Sequence, residues 1–137
     1  MKRAASAGDV VRRYYELFNS GDMDGFLSLL DENVRHDVNQ GPSQRGKAAF
    51  RKFMGEMNVF YREKVSDLEI FSGEHPERVA AEFVIDGTYL KTAPGLPLAR
   101  GQKYHLPVGA FFEVKDGKVS RITNYYSLQD WLDQVKG

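Results

Sequence analysis

The chain has 137 residues, of which 42% are hydrophobic and 28% charged, and its 19 basic residues balance its 19 acidic residues. This length and composition predict one soluble globular domain over residues 1–137. Zero net charge without a long lysine or arginine run argues against nucleic acid as a partner, and the absence of cysteine excludes disulfides and thiolate chemistry.

The N-terminal segment contains basic residues but no apolar stretch of signal-peptide length. No run of apolar residues approaches the length of a membrane-spanning helix. We therefore expect a cytoplasmic protein with no membrane partner.

The first half of the chain predicts three helices. Residues 8–20 form an amphipathic pattern, Gly21 suits the end of that helix, and Asp22 suits the N-cap of the next. The second helix carries the apolar residues from Met23 to Leu30, and the third follows Gly46. The apolar side of the third helix consists of Ala48, Phe50, Phe53, Met54 and Met57.

The stretch RHDVNQG, residues 35–41, lies between the second and third predicted helices and places a histidine beside a carboxylate. Both residue types can transfer protons. In an extended segment His36 and Asp37 point to opposite faces, so they cannot form a facing pair. We expect Asp37 and Asn39 to face the interior and His36 to face a helix or a partner subunit. The alternative for Asp37 is a turn aspartate that accepts backbone hydrogen bonds.

After the third helix the apolar period changes to two. Long strands are predicted at about 63–73, 77–91 and 103–115, and the KDG turn at 115–117 leads to a fourth strand, KVSRITNYY. The segment SLQDWLDQV then predicts a short final helix. Helices followed by an antiparallel meander predict an α+β fold, with helices on one face of a curved sheet and a pocket inside the resulting cone.

This order of elements, with NSGDMDGFLSLLDENVRHDVNQG, RGKAAFRKF and FFEVKDGKVSRITNYY, resembles the nuclear transport factor 2-like (NTF2-like) superfamily. That superfamily contains ketosteroid isomerases and SnoaL-like polyketide cyclases. The stretches HDVNQG, GTYL, ARGQKYHLPVGAFFE and NYYSLQDW resemble more narrowly the bacterial ketosteroid isomerase-related proteins. The resemblance implies a cone-shaped, curved, antiparallel or mixed sheet with N-terminal helices across its concave face, a cystatin-like roll. It does not fix an activity, because this fold carries many functions.

The resemblance also implies roles for particular residues. Tyr14 stands five residues before Asn19, as does the catalytic tyrosine of ketosteroid isomerases, and Asp37 occupies the place of their general base. Their second, protonated acid lies nine residues before the lysine of the last hairpin, where this chain has Gly109. Loss of one preorganised donor typically costs about 10²–10³ in rate. Related chemistry on another substrate and a pocket without activity therefore both remain open.

Further candidate substrate-binding groups lie on the predicted strands. Strand alternation predicts that His105 points into the pocket, and a solvated histidine near a strand start is the alternative. Asn124 and Tyr126 share one face of the last strand, where Asn124 either orients a ligand or faces a partner subunit. Tyr61 and His36 complete the candidate set, and a core or rim position is the alternative for Tyr61.

No metal or cofactor is expected. The three histidines, at positions 36, 75 and 105, show no paired ligand spacing, and no glycine-rich phosphate loop or dinucleotide fingerprint occurs.

Two functional hypotheses follow. The first is a cofactor-independent acid–base pocket for a small, largely apolar molecule bearing a carbonyl or hydroxyl, with Asp37 as the base and Tyr14 at the oxyanion. Isomerase, cyclase and lyase-type reactions all fit it. The second is a non-catalytic small-molecule-binding or protein-interaction module of the same fold. A homodimer through the sheet is expected in either case, with a monomer whose outer face is solvated as the alternative.

Overall fold

A computed structural model of the protein describes residues 5–39 and 41–136, so that Gln40, from the polar stretch, lies outside the described residues. In chain order the elements are α1 (Ala7–Ser20), α2 (Met23–Ser28), β1 (Leu30–Val38), β2 (Gln44–Arg45), α3 (Lys47–Phe60), β3 (Tyr61–Ser72), β4 (Arg78–Tyr89), β5 (Lys103–Lys115), β6 (Lys118–Tyr126) and α4 (Leu128–Val135). No helix within these described ranges is long and apolar enough to cross a membrane.

The ends of the first two helices follow from their capping residues. Ser6 and Asp9 form a reciprocal capping box at the start of α1, and Gly21 ends α1 in the left-handed conformation. Asp22 caps α2 by accepting a hydrogen bond from the Gly25 amide at 2.9 Å. Helix α2 ends earlier than predicted because Leu30, which is fully buried, already begins β1.

The six strands form one sheet in the order β2-β1-β6-β5-β4-β3. Strand β1 runs parallel to β6, and every other neighbouring pair is antiparallel. The β5–β6 hairpin turns at Asp116 and Gly117, both with positive φ, as Asp-Gly hairpins require. The α+β fold with a curved, mixed sheet is therefore confirmed.

Strand alternation separates an inner face, covered by the helices, from an outer face. The inner side chains of β5 are all buried, from Tyr104 through Leu106 to Val114. Against this face pack the buried residues of α1, including Val11 and Tyr15. Each fully buried aliphatic side chain of this kind contributes about 1.5–3 kcal/mol to the free energy of unfolding.

A bulge in β3 bends the sheet around the space beneath the helices. The pairing of β3 with β4 shifts between Ser66 and Glu69, and Asp67 there has a φ of 53°. The shift changes the phase of the strand, so that Val65 before the bulge and Ile70 after it both pack on the core.

Candidate functional site

The inner face of the sheet and the helices enclose a cavity of about 280 Å³. Most of its wall is aromatic or aliphatic, contributed by all four helices and by strands β1 and β3 to β6. The polar residues of the wall are Tyr14, Tyr15, Asp22, His36, Asn58, Tyr61, Glu63, Asn124 and Tyr126. A small, mainly apolar space with a few polar groups is typical of a small-molecule site.

His36 lies in the cavity wall, on the face of β1 opposite to the one predicted for it. The residue is 4% exposed, and its ring packs against Phe50 and Phe53, with ring centroids 4.4 and 4.7 Å away. Nδ1 is buried and has no hydrogen-bond partner among the described residues. Such an unsatisfied group typically costs about 1–3 kcal/mol, which a ligand bond would recover.

The electrostatic setting keeps His36 neutral at physiological pH. Burial lowers its pKa to about 4, although the Asp37 carboxylate and a hydrogen bond with Gln44 favour the protonated ring. In the neutral tautomer whose proton is on Nε2, Nδ1 carries the lone pair and can accept a hydrogen bond or a proton.

Asp37 does not line the cavity, and the prediction that it faces the interior is wrong. Its carboxylate lies on the outer face of β1, where it accepts hydrogen bonds from Ser43, from Thr123 at 2.7 Å and from Arg35 at 3.2 Å. Burial raises its pKa, but these bonds and the Arg35 charge outweigh burial and lower it overall. Asp37 is an ionised structural group.

The register of β1 explains the reversal. Parallel pairing sets His36 beside Ile122, which is buried in the core, and Asp37 beside Thr123 on the outer face. Because side chains alternate, a phase error of one residue moves every side chain to the other face.

Asn39 also lies off the cavity wall, against the prediction. Its φ is 49°, a left-handed conformation that asparagine tolerates. Its side-chain Oδ1 accepts a hydrogen bond from the backbone N–H of Tyr126, and its backbone N–H donates to the backbone carbonyl of Asn124, both at 2.8 Å. Asn39 therefore joins the end of β1 to β6.

His105 points away from the cavity as well, so its predicted pocket position is wrong. Its side chain is 68% exposed and lies 2.6 Å from Asp86 on the outer face. Gly109 shares that face, and its inward-facing neighbours are Val108 and Ala110. The residues that face the cavity at this part of β5 are therefore Val108 and Ala110, and neither is an acid. Gly109, the position that the resemblance pointed to, does not face the cavity.

Besides His36, four other predicted site residues reach the cavity wall: Tyr14, Tyr61, Asn124 and Tyr126. Tyr14 is buried against Phe26 and Phe112, with ring centroids 4.5 and 5.3 Å away. Burial raises the pKa of its hydroxyl, which therefore stays protonated as a donor. The roles of these four residues in binding stay predictions.

Sequence reasoning missed Glu63, a carboxyl in the cavity wall. It follows Tyr61 and precedes Val65 on the inner face of β3, and this alternation in YREKV was the available signal. Burial raises its pKa, while a hydrogen bond from the Tyr104 hydroxyl lowers it by less. Glu63 is therefore a titratable group of the cavity.

Within residues 5–39 and 41–136, no three histidine, aspartate or glutamate side chains are grouped closely enough to hold a metal ion.

The chain matches the family model of the SnoaL-like domain over residues 11–122. A candidate polyketide cyclase from Pseudomonas putida KT2440 is 50% identical, with a TM-score of 0.94 over 97% of this chain and 100% of that chain. Another from Xanthomonas campestris pv. campestris is 50% identical, with a TM-score of 0.91 over 95% and 96%. An NTF2-like protein of unknown function from Burkholderia pseudomallei K96243, 15% identical, shares the fold with a TM-score of 0.81 over 98% and 100%. Among curated proteins, no sequence matches significantly.

Proposed function

The chain belongs to the SnoaL-like family, and on that premise we propose that it performs cyclase- or isomerase-like acid–base chemistry, without a cofactor, on a small, largely apolar molecule bearing a carbonyl or hydroxyl. One observation carries the proposal: the buried, unpartnered Nδ1 of His36 in an apolar cavity wall. The description of two relatives, each half identical to this chain, as candidate polyketide cyclases supports the reaction class.

His36 takes the role of general base that the sequence had assigned to Asp37. Its Nδ1 removes a proton from a carbon next to the ligand carbonyl, and the electrons of the C–H bond move to the oxygen to give an enolate. Asp37 supports the imidazolium electrostatically from the outer face of the same strand. Tyr14 and Asn124 are wall donors for the enolate oxygen.

The enolate then has two outcomes. Where the ligand has a carbon–carbon double bond next to the deprotonated carbon, the enolate is a dienolate, and return of the proton from His36 to its far carbon shifts the double bond and completes an isomerisation. Attack of the enolate carbon on a second carbonyl of the same molecule forms a carbon–carbon bond and, after protonation of the new alkoxide, completes a cyclisation. Both need a dry cavity and no external oxidant or reductant.

Hydrogen–deuterium exchange at the carbons next to the carbonyl of 2-decalone, followed by NMR in D₂O, tests the proposal. We expect the protein to accelerate exchange about 10²-fold or more over buffer, the usual contribution of a positioned base. His36→Asn keeps a hydrogen-bonding group near the Nδ1 position but cannot take the proton, so it should bind 2-decalone and lose the acceleration. Equal exchange in the wild type and in His36→Asn would place the base elsewhere.

A non-catalytic binding module is the second candidate. The apolar pair Val108 and Ala110 on the inner face of β5 favours it, because no acid stands there to stabilise an oxyanion. Binding of 2-decalone without any acceleration of exchange would decide for this candidate.

We also propose that the protein forms a homodimer through the outer face of the sheet. One row across this face is basic and contains Arg78, Arg121, Arg35 and Arg45, with Glu113 between the first two. A second row on the same face, four residues further along β4 from Arg78, is acidic and contains Glu69 and Glu82. The row between them contains Phe111, which is 45% exposed. A two-fold axis along that row sets Arg78 of one copy against Glu82 of the other, because both residues lie on β4 on either side of the row.

A further inference from the structure

Glu63 faces the cavity at the opposite end of the sheet from His36. The strand register aligns His36 with Ile122 and Phe112, near the end of β5. It aligns Glu63 with Gly87 and Tyr104, at the beginning of β5. The two groups therefore address different ends of a ligand in the cavity.

The surroundings of Glu63 favour an uncharged carboxyl. None of the described residues that line the cavity is a lysine or arginine, and Glu63 forms no ion pair with a described residue. The titratable groups that face it are phenols, namely Tyr61 on its own strand, Tyr104 on β5 and Tyr126 on β6. A carboxylate buried without a compensating cation is costly, so burial raises the pKa of Glu63 and favours the protonated carboxyl.

Tyr104 reaches Glu63 across β4 because Gly87, which lies between them, has no side chain. The Tyr104 ring lies over the β4 backbone so closely that a Cβ on Gly87 would come within 2.2 Å of the tyrosine Cζ. The tyrosine hydroxyl donates a hydrogen bond to Glu63 Oε2. No described residue bonds Oε1, the second carboxyl oxygen, which leaves it for a ligand.

We propose that Glu63 is a second ligand-binding group of the cavity, which donates a hydrogen bond to an oxygen of the ligand, with Tyr104 as its positioning residue. The inference rests on the proposed function and narrows its substrate class. The ligand is uncharged, with an apolar body and two oxygen functions, one addressed by His36 and the other by Glu63. Anionic ligands are disfavoured because the described wall supplies acids and no cationic side chain.

A matched pair of probes isolates this contact: 2-decalone has one oxygen, and decahydronaphthalene-2,6-dione has one at each end of the same skeleton. Calorimetry should show the dione binding about tenfold more tightly to the wild type, the usual effect of one hydrogen bond. Glu63→Gln keeps a donor and should retain the preference, whereas Glu63→Leu should lose it. A preference that is absent from the wild type, or that survives in Glu63→Leu, overturns the proposal.

The carboxyl ¹³C resonance of Glu63 gives a readout that a purely structural role would not move. Its titration midpoint should lie above the ordinary glutamate value, rise when the dione binds, and rise in Tyr104→Phe, which removes a bond to the ionised form. A titration midpoint that does not move when the dione binds contradicts the inference.

The cation 2-aminodecalin tests whether Glu63 is ionised. Tighter binding of this amine than of the dione would mean that Glu63 carries a negative charge, and would overturn the inference. If 2-decalone binds and the dione binds no more tightly, this inference is wrong but the proposed function stands. If neither ketone binds, the proposed function is wrong as well.

Discussion

At the scale of single residues, burial of a neutral histidine has a cost that depends on pH. The folded-state pKa of His36 is about 4, against 6.5 for an ordinary histidine, so between these values the unfolded chain binds a proton that the folded protein does not. The free energy of unfolding therefore falls as the pH drops through this window, by about 2 kcal/mol at about pH 5 from this residue. Urea denaturation of the wild type and of His36→Phe at neutral and mildly acidic pH measures it. An equal loss of unfolding free energy on acidification in the wild type and in His36→Phe would mean that His36 is not the source of the pH dependence.

Asp37 should matter more for stability than for activity. Asp37→Asn weakens an acceptor that holds Ser43, Thr123 and Arg35, and we expect it to lower the free energy of unfolding by about 2 kcal/mol. Hydrogen–deuterium exchange at 2-decalone should fall less than about tenfold, because His36, the proposed base, remains. Asp86→Asn, at an exposed carboxylate on the same face, is the control and should be nearly silent. Complete loss of exchange in folded Asp37→Asn would restore Asp37 as the base.

The sequence contained the signal for the residues that were placed on the wrong face. Val34 and Val38 set the apolar phase of β1, and His36 shares that phase. The resemblance to a catalytic aspartate favoured Asp37 instead. A catalytic role can be carried over to a matching position only if the side chain there also points into the cavity. On β5 the run of inward residues from Tyr104 to Val114 likewise excludes His105 from the cavity. The contact of Glu63 with Tyr104, by contrast, depends on strand register and could not be read from the sequence.

At the scale of elements, the gap at Gly87 couples three strands. Gly87→Ala should displace Tyr104 from Glu63 and lower the free energy of unfolding by about 1–3 kcal/mol, because the added methyl group meets a buried ring. Gly55→Ala is the matched control: its Cβ on α3 meets no atom within 4 Å, so we expect a gain of up to about 1 kcal/mol. Thermal and urea denaturation of the two variants compare them. Similar stability for both variants would mean that Tyr104 does not depend on the gap.

Most elements were predictable because they are long and strongly periodic. Helices α1 and α3, strands β3 to β6 and the hairpin at Asp116 lie close to their predicted bounds. The two-residue strand β2 is too short to show alternation. The end of α2 was misplaced because leucines at 29 and 30 continue a helical pattern while tertiary packing draws Leu30 into a strand.

At the scale of the whole molecule, the proposed dimer is tested by mass. The chain is 15.6 kDa, and light scattering at micromolar concentration should give twice that value. Phe111→Lys places a charge in the middle row of the outer face and should yield monomers, whereas Val59→Lys, at an equally exposed position on α3, should leave the dimer intact. A monomer mass for the wild type that does not change with concentration would exclude the interface.

The parallel pairing of β1 with β6 has a consequence for the order in which the protein folds. Asp37 and Thr123, bonded across this pair, are 86 residues apart in the chain, whereas the β5–β6 hairpin closes over a two-residue turn. Closing the longer loop costs more chain entropy and is slower, so the meander of β3 to β6 should form first and β1 should dock last. Pulse-labelling of amides during refolding should then protect β5 before β1. The wall that carries His36 would be completed only in the final step, so partly folded chains would already hold Glu63 and Tyr104 together while having no base.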